Sequence, residues 1–168
     1  MAVEEVDLAS LASVCEFCNR VIAAGGADLL LLNAGIMAPP ERLTTSDGFE
    51  LQFGTNYLGH WLIANRLVMH RREWRRQQRR RHEQQQQTPG GLAARATRTI
   101  FFSSMTHWAG TLDFSDLQAS RDYDGFRQYA ATKLACLLAA KEMQRRLDGY
   151  AATMLIGACS VACCLVHQ

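Results

Sequence analysis

The apolar positions of this chain change period several times, and each change marks an element. From Leu8 to about Ala24 they fall at Leu8, Leu11, Val14, Cys15, Cys18, Val21 and Ile22. A recurrence of three and four puts them on one side of an amphipathic helix, and Gly25-Gly26 predicts its end. Asp28-Leu-Leu-Leu-Leu-Asn33 follows, a short unbroken apolar run after a turn. Such a run predicts a strand buried on both faces, as in a parallel sheet. Residues 2–7, with Val3 and Val6, alternate loosely and predict the end of an earlier strand.

Past the Pro39-Pro40 loop, Thr45 or Ser46 is expected to cap a long helix running to about Met69, with Glu50 as capping partner. Gly54 and Gly59 lie inside that helix, each costing about 1 kcal/mol against alanine. Their presence predicts something that approaches the backbone closely. A strand from Thr97 to Ser103, a loop to about Gly125 and a helix from Phe126 to Leu147 come next. Residues 151–166 are apolar throughout. They fall short of the roughly 20 residues a membrane-spanning helix needs, so the first half predicts a buried strand. Alternating helices and buried strands make an α/β chain with a doubly wound parallel sheet.

The 168 residues are one domain's worth of chain. With 48% hydrophobic and 20% charged residues, the composition excludes disordered and collagen-like classes. The net charge of +2 hides two unlike parts. Nine arginines and two glutamates between Arg71 and Arg98 give a local +7, while the remainder carries −5. The region 71–96 therefore reads as an Arg/Gln-rich insert in a single domain spanning 1–168: a helix prolonged into solvent, then a Gln/Gly linker. Only Trp74 interleaves aromatics with the arginines, so no nucleic-acid partner is expected. Six cysteines show no framework spacing, and no signal peptide is seen. A reducing, cytoplasmic setting is expected, with Cys15 and Cys18 packing in a helix and not binding metal.

Chemistry concentrates on the last helix, where Tyr129-Ala-Ala-Thr-Lys133 puts a phenol and an ammonium one turn apart on one face. A phenol ordinarily titrates near pH 10, and a cation within reach favours its phenolate. Tyr129 could then pass a proton to or from a substrate oxygen. Taken alone, the pair could equally be an exposed pair on a solvated face. Around it, however, Asn33-Ala34-Gly35 closes one strand, Asn56-Tyr-Leu-Gly59-His60 lies in the long helix, and Ser103-Ser104 ends the next strand. Carboxyl ends of parallel strands are where such sheets bind ligands.

In that order and context, these motifs resemble the short-chain dehydrogenase/reductase family, and from Asp47 to His60 and Ser103 to His107 its retinol-dehydrogenase-like branch. The resemblance runs from about Val6 to Leu147, around the insert. It implies that Tyr129 is the general acid/base and that Lys133 lowers its pKa and binds the nicotinamide ribose. It implies that Ser104 hydrogen-bonds the substrate oxygen and Asn56 holds a proton-relaying water. Asn33, Ala34 and Gly35 would line the cofactor groove, and Asp7 would touch the adenine. The cofactor would be NAD or NADP, with the branch leaning to NADP, and the substrate a small lipophilic alcohol or carbonyl compound. Pairing into a homodimer also follows from the family, and no membrane span is expected.

Two departures stand beside it. No G-x-G-x-x-G or G-x-x-x-G-x-G spacing occurs among the twelve glycines, so the pyrophosphate cradle of such folds is not in this sequence. The chain reads as an incomplete Rossmann-like sheet lacking its first two strands, which would deprive the strand at 2–7 of its neighbour. After Leu147 the family expects a strand ending in Pro-Gly, and here Tyr150 to Cys159 contains no proline. Leu32 stands where the branch has a second asparagine. The alternative is a catalytically inactive, N- and C-terminally truncated relative that binds another protein.

Overall fold

A computed structural model describes residues 2–84, 98–147 and 151–156 of the chain. Helix α1, Leu11–Ala23, starts where Ser10 Oγ accepts the Ser13 amide at 3.3 Å. A carboxylate from far along the chain, Asp47, accepts the Leu11 amide at 2.8 Å and covers a second orphan donor of that first turn. Strand β1, Leu29–Leu32, follows the Gly25-Gly26 turn.

Residues 2–7 are not a strand. They are tied to α1 by Arg20, which donates to Glu4 Oε2 at 2.8 Å and to the Glu5 carbonyl at 2.7 Å. No described strand lies beside them, and an extended segment with no ladder to join is tied down by side chains instead.

The long helix begins later than its cap residues suggest. Residues 45–49 form a turn in which Thr45 Oγ1 accepts the Phe49 amide. The helix then opens on the Glu50 carboxylate, which is fully buried and accepts the amides of Gln52 and Phe53 at 2.9 and 2.7 Å. A π-helical turn, Phe53–Leu58, leads into α2, Gly59–Gln84. The arginine half of the insert does prolong this helix. Arg71 reaches Asp28 at 2.8 Å and lies over the Trp74 ring. The Gln/Gly half of the insert, the Cys163-Cys164 pair and the end of the apolar tail fall outside the described residues.

Strand β2, Arg98–Ser103, pairs in parallel with β1 and with β3, Ala151–Ile156, giving the order β1-β2-β3. A 3₁₀ turn, Met105–Ala109, follows β2, and α3, Gly125–Arg146, leads to β3. All three helices meet on one face of the sheet. Val14 and Cys18 of α1, Ile63, Ala64, Leu67 and Val68 of α2, and Ala140 and Met143 of α3 close around Leu32 and Phe101.

That one-sidedness corrects the expectation for β1. Leu32 is buried, but Leu29 and Leu31 remain 53% and 55% exposed, because no described helix lies on their face. No helix among the described residues is long and apolar enough to cross a membrane.

Gly59 shows why glycine is tolerated where π-helix becomes α-helix. A Cβ there would lie 2.8 Å from the Leu8 carbonyl oxygen and 3.3 Å from the Leu8 side chain. The segment entering α1 is thus seated directly on bare backbone. Gly59→Ala is expected to lose about 1–3 kcal/mol in urea unfolding despite alanine's better helix propensity. Equal or greater stability would show that this contact is not close.

Candidate active site

Parallel pairing brings the carboxyl ends of β1 and β2 to one edge, since Leu32 registers with Phe101. Asn33-Ala34-Gly35 leaves that edge from β1, and Ser103-Ser104 ends β2 beside it. Helix α3 passes behind the same edge. It starts on an Asp124 cap that accepts the Arg127 amide at 2.8 Å, and it buries Tyr129 and Lys133 almost completely.

The Lys133 ammonium lies 5.4 Å from the centre of the Tyr129 ring. It donates to the Phe102 carbonyl at 3.3 Å, so it sits at the end of β2. A Cβ on Gly35 would come within 3.8 Å of it and within 2.8 Å of Asn56 Oδ1. Only glycine lets the end of β1 approach both groups so closely. Ser103 Oγ donates to the Lys133 carbonyl at 2.8 Å, a structural tie between β2 and α3. Ser104 is buried and opens the 3₁₀ turn, where its Oγ accepts the Thr106 amide at 3.3 Å. Its carbonyl accepts from His107, by the amide at 3.1 Å and by ring Nδ1 at 2.6 Å.

Asn56, in the π-helical turn, is buried between the β1 loop and α3. Its amide holds Ile36 at both backbone atoms: Oδ1 accepts the Ile36 amide at 2.8 Å and Nδ2 donates to the Ile36 carbonyl at 2.9 Å. Nδ2 also reaches Thr132 Oγ1 at 3.3 Å. The Asn56 backbone carbonyl receives His60 Nδ1 at 3.1 Å and the Cys136 thiol at 3.3 Å.

Five of the expected residues thus gather at one edge: Lys133 beside Tyr129, Asn56 beside Gly35, and Ser104 next to the Ser103–Lys133 tie. Asp7 does not lie at a strand end. It is exposed in the turn before α1, where Oδ1 accepts the Ala9 amide at 2.8 Å. Asn33 and Ala34 are exposed at the end of β1. His60 and Cys136 escaped the sequence reading as parts of the site. The four-residue spacing from Asn56 to His60 was the available signal. Cys18 sits in the core, and Cys15 takes a donor from Arg66 at 3.5 Å.

A cleft of about 630 Å³ adjoins this edge, bounded by Phe53, Asp113, Asp116, Arg121, Gln128 and Ala131 among others. None of Asn56, Ser104, Tyr129 and Lys133 lines it. Tyr129 and Lys133 lie elsewhere on α3 than Gln128 and Ala131, so the cleft does not hold the candidate groups. Loops at the edge expose Met37, Met105, Trp108 and Phe114, and Phe126 opens α3.

No family model matches the chain. Mouse (Mus musculus) retinol dehydrogenase 13 is 39% identical over 153 residues, which are 90% of this chain and 40% of that protein. Danio rerio polyprenol dehydrogenase is 40% identical over 143 residues, 84% of this chain and 39% of that protein. The chain therefore spans about two fifths of the length of the curated relatives it matches. Among solved structures, an uncharacterized protein from Mycobacterium Paratuberculosis superposes with a TM-score of 0.67 at 37% identity, covering 86% of this chain and 44% of that one. A short-chain dehydrogenase from Streptomyces avermitilis shares the fold, with a TM-score of 0.56 at 18% identity over 90% of this chain and 45% of that one.

Burial pushes the His60 imidazole down to about 4, and the Lys133 charge adds to the effect. Its folded pKa is thus below the usual 6.5, and the unfolded chain binds more protons between those values. The His60 contribution to stability is present above pH 6.5 and is lost as pH falls toward 4. The unfolding free energy from urea titration of the native chain should drop more steeply over this window than that of His60→Asn, by on the order of 3 kcal/mol at its foot. Parallel curves would mean that His60 is not buried.

Proposed function

The chain is homologous, over 84–90% of its length, to the retinol- and polyprenol-dehydrogenase branch of the short-chain dehydrogenase/reductases, and on that premise we propose that it is an oxidoreductase acting on a lipophilic alcohol or carbonyl compound. The observation that carries the reading is the Lys133 ammonium lying 5.4 Å from the Tyr129 ring, at the edge where β1 and β2 end. In this reading Tyr129 gives or takes the proton of the substrate oxygen. The Lys133 charge favours negative charge developing on the phenol oxygen. Ser104 donates to the same substrate oxygen, and Asn56 holds the β1 loop in place. The exposed Met37, Met105, Trp108 and Phe114 would supply apolar contact to a substrate tail.

A nicotinamide dinucleotide, when bound, supplies or accepts the hydride. The residues fit its nicotinamide end. Asn33, Ala34 and Gly35, at the end of β1, would line the cofactor's groove, and Tyr129 and Lys133 would hold its ribose. The bare backbone of Gly35 leaves room that a side chain would fill. The sequence holds no glycine turn for the pyrophosphate, so this chain should bind the cofactor weakly. NADP over NAD is the branch's leaning and is part of the proposal.

Titration of the full chain with NADPH and NADH, read by cofactor fluorescence, is expected to give weak saturation. No change at millimolar concentrations would overturn the reading. Where turnover of a lipophilic alcohol or aldehyde is measured, Tyr129→Phe should lower kcat by at least about 100-fold and leave cofactor Kd within about twofold. Full turnover by that variant would remove Tyr129 from the proton transfer.

A further inference from the structure

Two buried groups next to the candidate site have no part in the proton transfer proposed above: His60, 4% exposed, and Cys136, 1% exposed. Both point at one atom, the Asn56 carbonyl oxygen, from two different helices. A carbonyl only accepts, so His60 must carry its proton on Nδ1, and the neutral ring leaves Nε2 unprotonated. Cys136 is kept as the thiol, pushed up to about 11 by burial, and its S–H is the second donor.

The far side of Asn56 explains why its backbone position matters. Its side chain grips Ile36 at both backbone atoms, and Gly35 stands against Oδ1 with no room for a Cβ. The same Gly35 position lies 3.8 Å from Lys133 Nζ. Thr132, which takes the third bond of the Asn56 amide, donates to the Tyr129 carbonyl at 2.7 Å. A displacement of the Asn56 backbone is therefore passed rigidly to the end of β1 and to the turn of α3 that holds Tyr129 and Lys133.

We propose that His60 and Cys136 are positioning residues: their two donors fix the Asn56 carbonyl and so set the distance between the β1 end and the Lys133 ammonium. His60 locks the Asn56 carbonyl from within the same helix. Cys136 locks it to α3, one turn beyond Lys133. The groups facing this carbonyl region are Lys133, Thr132 and Cys136 from α3 and His60 from α2. Neither His60 nor Cys136 touches substrate. The inference deepens the oxidoreductase reading, yet its central measurement needs no cofactor.

The sequence contains only two lysines, Lys133 and Lys141, and Lys141 is exposed. Labelling lysine side chains with ¹³C and ¹⁵N in the full chain therefore gives two signals, with Lys141 as internal reference. His60→Phe and Cys136→Ala, which remove a donor, are expected to shift the Lys133 signal and leave that of Lys141 in place. His60→Asn and Cys136→Ser each keep a donor near the same point and should restore the native Lys133 position. In the donor-less variants the nicotinamide cofactor Kd should rise about tenfold, with recovery in the conservative pair.

Loss of stability alone, with the Lys133 signal unmoved in variants that still fold, would overturn the proposal. So would an equal shift in the conservative and donor-less variants. If His60→Phe does not fold, Cys136→Ala against Cys136→Ser decides by the same signal. A shifted and rescued Lys133 signal in a chain that binds neither NADH nor NADPH would uphold the positioning role and defeat the oxidoreductase reading.

Discussion

The structure depends on two side-chain amides, Gln52 and Asn56, spaced one helical turn apart. The chain leaving β1 has no described strand to continue along, and its backbone donors and acceptors turn inward. Asn56 satisfies both backbone groups of Ile36, and Gln52 Oε1 accepts the amide of Ala38 at 2.8 Å. Gln52 then donates onward to the Gly125 carbonyl at 2.9 Å, where α3 begins. Two amides thus stand in for a sheet ladder and join three segments that would otherwise hold unpaired polar groups.

The helix carrying these amides is shaped to deliver them. It starts on the buried Glu50 carboxylate, which also accepts from Gln128 of α3 at 2.9 Å. Its first turns are π-helical, which changes the angular spacing of side chains over Phe53–Leu58. Both the opening of α2 and the opening of α3 are pinned to one acidic group. The site is assembled from helix beginnings and strand ends, so its geometry is set by caps and amides. The apolar core lies further along the same helices, around Leu32 and Phe101.

The described helices cover one sheet face only, and this gives the described part of the molecule two unlike surfaces. On the covered face Phe101 and Val14 are fully buried. On the opposite face Leu29 and Leu31 stay half exposed. At the far end of α2, where the arginines cluster, Arg71 is bridged to the body through Asp28. The site edge and the arginine arm lie at opposite ends of α2, because that helix runs antiparallel to the strands it covers.

Much of this was legible in the residues themselves. The period of three and four in α1, the leucine run of β1 and the spacing of Tyr129 and Lys133 are local patterns, and backbone geometry turns them directly into a helix, a strand and a shared face. The glycines at 54 and 59 rightly announced a close approach, although not what approached. What the sequence could not decide was everything settled by a neighbour. Residues 2–7 alternate like a strand yet have no described strand to pair with. The leucines of β1 read as buried on both sides, but burial needs a second layer and only one lies among the described residues. Glu50 looked like a capping partner for Thr45 or Ser46, yet it is itself the cap, because burial with three donors favours a carboxylate over a hydroxyl at that place. His60 and Cys136, 76 residues apart in the chain, meet at a single carbonyl oxygen. Such a meeting is a property of packed helices, since hydrogen bonds between distant residues exist only once the apolar faces have brought the helices together.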